Sequence, residues 1–447
     1  MLNGLWRSEG YGWILSFDSA GYTRYDVTRT HCIATERGSH ADFERAYDPV
    51  EADGENAFSL HQAGDVTRYR FRRIATLPDV PRVSPGENRD PFVNFDALWH
   101  SFDEHYAFFD LHRVNWRDLR LRHRSRVSPA SSAGDLFKIL GDLLDPLDDG
   151  HVTLAGPDLF HQRVRNADLR RALQATFATP NGRVTPRTTV NAVAARIEDA
   201  LLAPFAATRT PLRRACNDIL AWCELRPGVG YLSVLRLFGF ADTAAARPAD
   251  DLPHGRIAVA EFLHDDMSAL EAGLDRIFDD LRHCRGLIVD LRINGGGFDR
   301  AGLAIASRFT QRRCLGYSKR AKDEEGFTAD QQICVEPARD PCTMPVVVLT
   351  SPLCVSAGEV MALAMRALPQ VTVVGQSTAG MLSDNLNKPL PNGWELSLSN
   401  EIYTSHDGRV FESCGVAPEV PTTVMDAAQF VPALRASLSA AVDLLQR

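Results

Sequence analysis

The chain has 447 residues, enough for two or three domains and a large core. It is 45% apolar and 24% charged, ordinary for a globular protein, and 49 basic against 57 acidic residues give a net charge of −8, with no basic excess to draw in nucleic acid or an anionic membrane. Nine cysteines, an odd number without CxxC or CxxH spacing, argue against a zinc site and a disulfide framework, and nothing calls for a metal or cofactor.

The N-terminus, MLNGLWRSEGYGW, lacks the basic and apolar regions of a signal peptide, and no apolar run approaches the roughly 20 residues of a spanning helix. The expectation is a cytoplasmic, reduced protein. Residues 1–76 read as a small β-domain: Trp13 to Phe17 and Gly21 to Val27 alternate around the turn Asp18-Ser19-Ala20-Gly21, and Thr67 to Phe71 is a further alternating strand. Trp6, Tyr11, Trp13 and Tyr22 read as core there, and no chemistry is expected. Residues 77–90, with Pro78, Pro81 and Pro85, read as a linker.

Residues 91–225 read as a helical subdomain. Phe92, Phe95, Leu98, Trp99 and Phe102 recur at helical spacing, and a second helix runs through Leu136 to Leu144. It stops at Asp145-Pro146, and Leu147-Asp148-Asp149-Gly150-His151-Val152-Thr153-Leu154 turns into a strand with His151 at its head. Val193, Ile197, Leu201 and Leu202 suggest helix, and Thr176 to Arg187 reads as loop. Residues 226–430 alternate strands and helices, the pattern of a parallel or mixed α/β core: strands at Val229 to Leu235, Gly286 to Arg292 and Val346 to Thr350, with helices at Met267 to His283 and Ala301 to Phe309.

Four places in this pattern can carry chemistry. The strand Val346 to Thr350 runs through a turn at Pro352 into Ser356-Ala357-Gly358-Glu359 and an apolar helix. Such a serine is either a capping-box residue or a nucleophile at a helix N-terminus, where free N–H groups favour an oxyanion. Asn294-Gly295-Gly296-Gly297 after a buried strand is either a plain tight turn or a loop whose amides point at a ligand. It is neither a phosphate-cradling Gly-Lys-Ser/Thr loop nor a GxGxxG turn. A lone His151 is ordinarily structural, and Glu412, shortly before the Gly415 turn, is ordinarily exposed.

Taken together, five segments in order resemble the C-terminal-processing, or tail-specific, serine protease family: LLDPLDDGHVTL, GLIVDLRINGGG, VVVLTSPLCVSAGEVMALAMR, VTVVGQSTAG and GRVFESCGVAPEV, the last with Glu419 in place of the usual Asp. The resemblance covers roughly residues 91 to 160 and 225 to 425. It implies the α/β spiral core of the crotonase/ClpP-like kind. Relatives with a Ser-Lys dyad carry lysine directly after Gly-x-x-Thr-x-Gly; here Met381 stands there, and Lys388 lies beyond a Ser-Asp-Asn loop. The resemblance therefore points to the tricorn-core-like branch, with Ser356 as nucleophile, His151 as general base then acid, and Glu412 as orienting acid. The tricorn-like pattern has a serine beside the histidine, where this chain has Gly150. The oxyanion hole is expected from the N–H of Ala357 plus one glycine amide, Gly296 first and Gly297 as the alternative.

No PDZ-like pattern is legible in residues 157–225, so capture of a substrate tail by such a domain is not expected. The implied function is an endopeptidase or oligopeptidase acting on a peptide or protein substrate, on a fold that often forms homo-oligomers. The rival readings are a catalytically silent peptide or small-ligand binding module, an esterase, amidase or cyclase on a small acyl group, and, last, crotonase chemistry with coenzyme A. Residues 310–343 and Met381 to Pro391 are expected to edge the cleft, with the basic run Arg312, Arg313, Lys319, Arg320 and Lys322 on a solvated face.

Overall fold

The computed structural model describes residues 2–47, 51–62, 64–177, 196–242, 256–324, 326–423, 425 and 429–446. Most of the loop expected at Thr176 to Arg187, and Val193 of the neighbouring helix, lie outside them.

The first layer is an eight-stranded sheet in the order Glu51–Ala52, Ala57–Leu60, Tyr69–Ile74, Gly4–Ser8, Trp13–Phe17, Tyr22–Val27, Cys32–Gly38 and Arg82–Val83. Trp13–Phe17 and Tyr22–Val27 pair antiparallel, Phe17 opposite Tyr22. The stretch expected to be linker supplies the last strand, which pairs parallel to Cys32–Gly38. Trp6, Tyr11, Trp13 and Tyr22 are all buried. Helix Pro91–His105 follows, with Asp90 as N-cap and Pro91 in its first turn, where proline loses no hydrogen bond. It packs with Ala133–Leu144 and the N-terminal sheet in one cluster of aromatic and aliphatic side chains.

The central sheet has seven strands in the order Arg213–Ala215, Leu220–Arg226, Val229–Val234, Gly286–Asp290, Val346–Thr350, Val371–Gly375 and Val420–Pro421. The first three are antiparallel; from Val229–Val234 onward each pairs parallel to the next. Gly286–Asp290 and Val346–Thr350 are buried throughout, as their unbroken apolar runs demand of strands covered on both faces. Helices Arg256–Leu281, Asp299–Ser307 and Ala357–Arg366 cover one face, and Phe430–Leu445 packs on the other.

The crotonase/ClpP-like spiral expectation is corrected by this topology. The core is one open mixed sheet whose strands lie side by side in chain order, clad by helices. Short apolar runs report burial and spacing, and these are the same for strands in a spiral and in a flat array.

Two smaller sheets join the parts. Phe160–Gln162, Thr153–Ala155, Glu395–Ser399 and Asn385–Pro389 form one, so the strand that follows His151 is held by residues about 240 positions downstream. Cys314–Asp323 pairs with Gln331–Val335 and Glu401–Ser405 in the other.

Candidate active site

Ser356 sits at a sharp elbow between the Val346–Thr350 strand and the Ala357–Arg366 helix, with φ 56° and ψ −131°. A non-glycine residue is rarely held there, and such strain persists only where the surroundings enforce it. Two buried residues do so. Glu359, fully buried, accepts from the Ser356 N–H at 3.2 Å and the Met381 N–H at 2.8 Å, and from the Gly380 N–H and Thr378 hydroxyl through its other oxygen. Burial pushes its carboxyl up to about 7, against the pull of those donors. Asn294 ties the elbow to the glycine turn. Its carbonyl oxygen accepts from Val355 N–H at 3.1 Å, its side-chain oxygen from Gly296 N–H at 2.8 Å, and its amide donates to Val234 O at 2.9 Å.

The glycine turn lies against the serine. A Cβ on Gly296, at φ +81°, would fall 2.8 Å from the Ser356 Cβ, so only glycine fits. The Gly296 N–H, expected to face an oxyanion, is instead taken by Asn294. The N–H groups of Gly297 and Ala357 have no hydrogen-bond acceptor among the described residues. Both glycine and alanine line the same cavity of 810 Å³ as Ser356.

His151 and Glu412 meet at a different point, the Ser383 peptide. Glu412, buried, accepts from the N–H groups of Leu382 and Ser383, each at 2.9 Å. Its carboxyl is held well above the usual range by burial and then by the charges of Asp149 and Glu359. The His151 ring, also buried, is lowered from its ordinary value by desolvation, while Asp149 and the Ser383 carbonyl favour the charged form. Among the described residues its Nδ1 has no partner, and no hydrogen bond joins His151 to Ser356 or to Glu412. Asp149 is the carboxylate whose charge His151 feels. It accepts from the His151 N–H at 2.8 Å and from the Tyr106 hydroxyl at 3.0 Å. Asp149 and Tyr106 carried no role in the sequence; the acidic turn before His151 was the only local signal of the first.

Met381, in the dyad-lysine position, packs with Val355 and Ala379 beside the serine. A Cβ at Gly150 would fall 2.6 Å from its sulfur, so a serine at 150 would displace the thioether. The two departures from the family pattern thus touch one another. Lys388 is buried in the N-terminal wall, donating to Tyr11 O at 2.6 Å and Asp26 at 2.9 Å. Lys319, expected on a solvated face, is 1% exposed and pairs with Glu401 at 2.8 Å. It lies on Cys314–Asp323, whose alternation puts every second side chain inward.

An elbow serine, a glycine turn and two unengaged amides thus meet over one cavity. Residues 254–422 match peptidase family S41, and residues 89–145 match the tricorn protease C1 domain. Over these two segments the chain is similar to the S41/tricorn-related proteases. It is similar to the carboxy-terminal processing protease CtpA of Bacillus subtilis, 23% identical over 39% of this chain and 36% of that protein. It is 27% identical to the carboxyl-terminal-processing protease of Synechocystis, over 36% of each chain. The match thus spans about a third of the length of both curated relatives. A solved Parabacteroides merdae protein assigned as a peptidase aligns with TM-score 0.59 and 26% identity, over 80% of this chain and 98% of that one. That agreement sets the fold within the mixed α/β architecture of these peptidases, in line with the open central sheet.

Proposed function

We propose that the chain hydrolyses peptide bonds through an acyl-enzyme on Ser356. The observation that carries this reading is the strained elbow serine beside two unengaged N–H groups in one cavity. Ser356 Oγ attacks the carbonyl; His151 takes its proton and returns it to the leaving amine; Glu412 orients the ring. Asp149 adds charge that supports the imidazolium. The oxyanion is held by Ala357 and Gly297, because the Gly296 amide is already bonded. Nδ1 carries no bond among the described residues, so a turn of the ring to close the relay gives up only its bond to the Ser383 carbonyl. The substrate class is a peptide or protein segment.

A fluorophosphonate probe and a fluorogenic peptide panel test this. Wild type should be labelled and should turn over peptides; Ser356→Ala should do neither while keeping its circular dichroism. Labelling that survives in Ser356→Ala sinks the assignment. Aryl ester turnover without peptide turnover would favour small-acyl chemistry, and no labelling of wild type a silent binding module.

A further inference from the structure

At the end of the central sheet away from Ser356, two turns are tied together. One closes the hairpin of Leu220–Arg226 and Val229–Val234; the other leads from helix Arg256–Leu281 into strand Gly286–Asp290. The Arg285 N–H donates to the Gly228 carbonyl at 2.8 Å, and the Gly286 N–H reaches the same oxygen at 3.3 Å.

Three side chains able to bind a metal meet at this junction. Glu224 lies opposite Gly230, where the pairing of the hairpin shifts register, and His283 and Cys284 lie on the second turn. Their ligand atoms fall within 4.8 Å of one another, and among the described residues this is the one such group of His, Cys, Asp and Glu donors. The carboxylate is already oriented. Glu224 Oε1 accepts from the Gly228 N–H at 2.7 Å, which turns Oε2 to the His283 Nε2 at 3.2 Å. The Cys284 sulfur approaches that same nitrogen at 3.9 Å. Its other side is walled by the core, where a Cβ on Gly230 would fall 3.5 Å from it.

Protons alone leave this group unsatisfied. The His283 Nε2 carries at most one hydrogen. If it donates to Glu224, it has no lone pair for the Cys284 thiol. If it accepts from the thiol, its lone pair faces those of the carboxylate. One cation among the three satisfies them all. Around a tetrahedral zinc ion, bonds of about 2.0 to 2.3 Å give N···O and S···N edges of roughly 3.3 and 3.5 Å. The observed edges are 3.2 and 3.9 Å, so the first is formed and the sulfur closes in by a few tenths of an ångström. A thiolate with an imidazole and a carboxylate suits zinc, whereas magnesium and calcium want oxygen donors. The His283 side chain is 56% exposed, which gives the ion an entry path and leaves its fourth position to water.

We propose that Glu224, His283 and Cys284 form a zinc site that clamps the hairpin turn to the turn entering strand Gly286–Asp290. Binding breaks the Cys284 S–H bond, forms a sulfur–zinc bond and releases the proton to solvent. The role is structural, because the length of that strand separates the site from the glycine turn beside Ser356. It stands independently of the peptidase reading. Motif spacing hides it: Glu224 lies 59 residues before His283 (283 − 224), on another strand.

Full-length protein, stripped by a chelator and dialysed, is titrated with cobalt as the spectroscopic stand-in for zinc, then with zinc by calorimetry. Cobalt should give a sulfur-to-metal charge-transfer band in the near ultraviolet and visible bands of four-coordinate strength, at one ion per chain, and zinc should displace it. Zinc at ~100 times its Kd should raise Tm by a few degrees. Cys284→Ser should abolish the charge-transfer band. Glu224→Gln and His283→Ala, at positions that reach solvent, should each weaken binding by at least ~10-fold, the cost of losing even an outer-shell partner. No charge-transfer band, or one that survives Cys284→Ser, overturns the proposal. Unchanged affinity in both Glu224→Gln and His283→Ala overturns it too, and leaves the pair as a plain surface contact.

Discussion

The serine side and the histidine side of the site are built differently. Ser356 is held by its own helix: Glu359 is three residues on, and Val346–Thr350 enters directly behind. The glycine turn is pinned to the elbow by Asn294. His151 and Glu412 arrive from chain segments 261 residues apart (412 − 151) and are joined only through Ser383. On the serine side the backbone is tied in place by Glu359 and Asn294; on the histidine side Nδ1 has no partner among the described residues. The contrast teaches that a nucleophile can be pre-strained by local structure, whereas a relay between distant elements depends on tertiary docking.

The largest effect should come from Ser356→Ala, with turnover falling on the order of 10⁴-fold or more, read as single-turnover kinetics on folded protein. His151→Gln should cost about 10²–10⁴-fold, the usual worth of a positioned base. With its pKa lowered from 6.5 by burial, the neutral base persists into mild acid, so the acid limb of wild-type kcat/KM should fall below pH 6.5. A limb above that value would place the base elsewhere.

Glu359 sharpens the comparison from the serine side. The unfolded carboxyl releases its proton near 4.5 and the folded one near 7, so the folded state holds the extra proton between them. Its stability contribution is present below pH 4.5 and lost as pH rises to about 7, a swing on the order of 3 kcal/mol. Glu359→Gln should flatten that part of the Tm-against-pH curve, whatever constant cost it adds; an unchanged slope refutes the assignment. The smallest effect should be Gly150→Ser, about 1 kcal/mol from crowding Met381, recovered in the double variant with Met381→Ala. Additive losses would mean the two positions do not touch.

The elbow was legible because strand, turn and helix signals are local, and Val346 to Arg366 carries all three. Asn294 and Gly296 were visible as a turn, but which amide is free depends on a side chain bending back two residues. The burial of Lys319 was hidden, because its strand pairs with Glu401–Ser405, about 80 residues on, and a charged run carries no mark of that partner.

Sequence alone determined the apolar strands and the helix that follows Ser356, since each is specified by residues within one or two turns of the chain. Tertiary structure alone decided that the sheet is open, that His151 and Glu412 meet at the Ser383 peptide, and that the N-terminal sheet walls the cavity over the serine. The physical reason is range: periodicity and capping act over a few residues, whereas burial of charge and the meeting of catalytic groups are set by surfaces that touch only after the whole chain has packed.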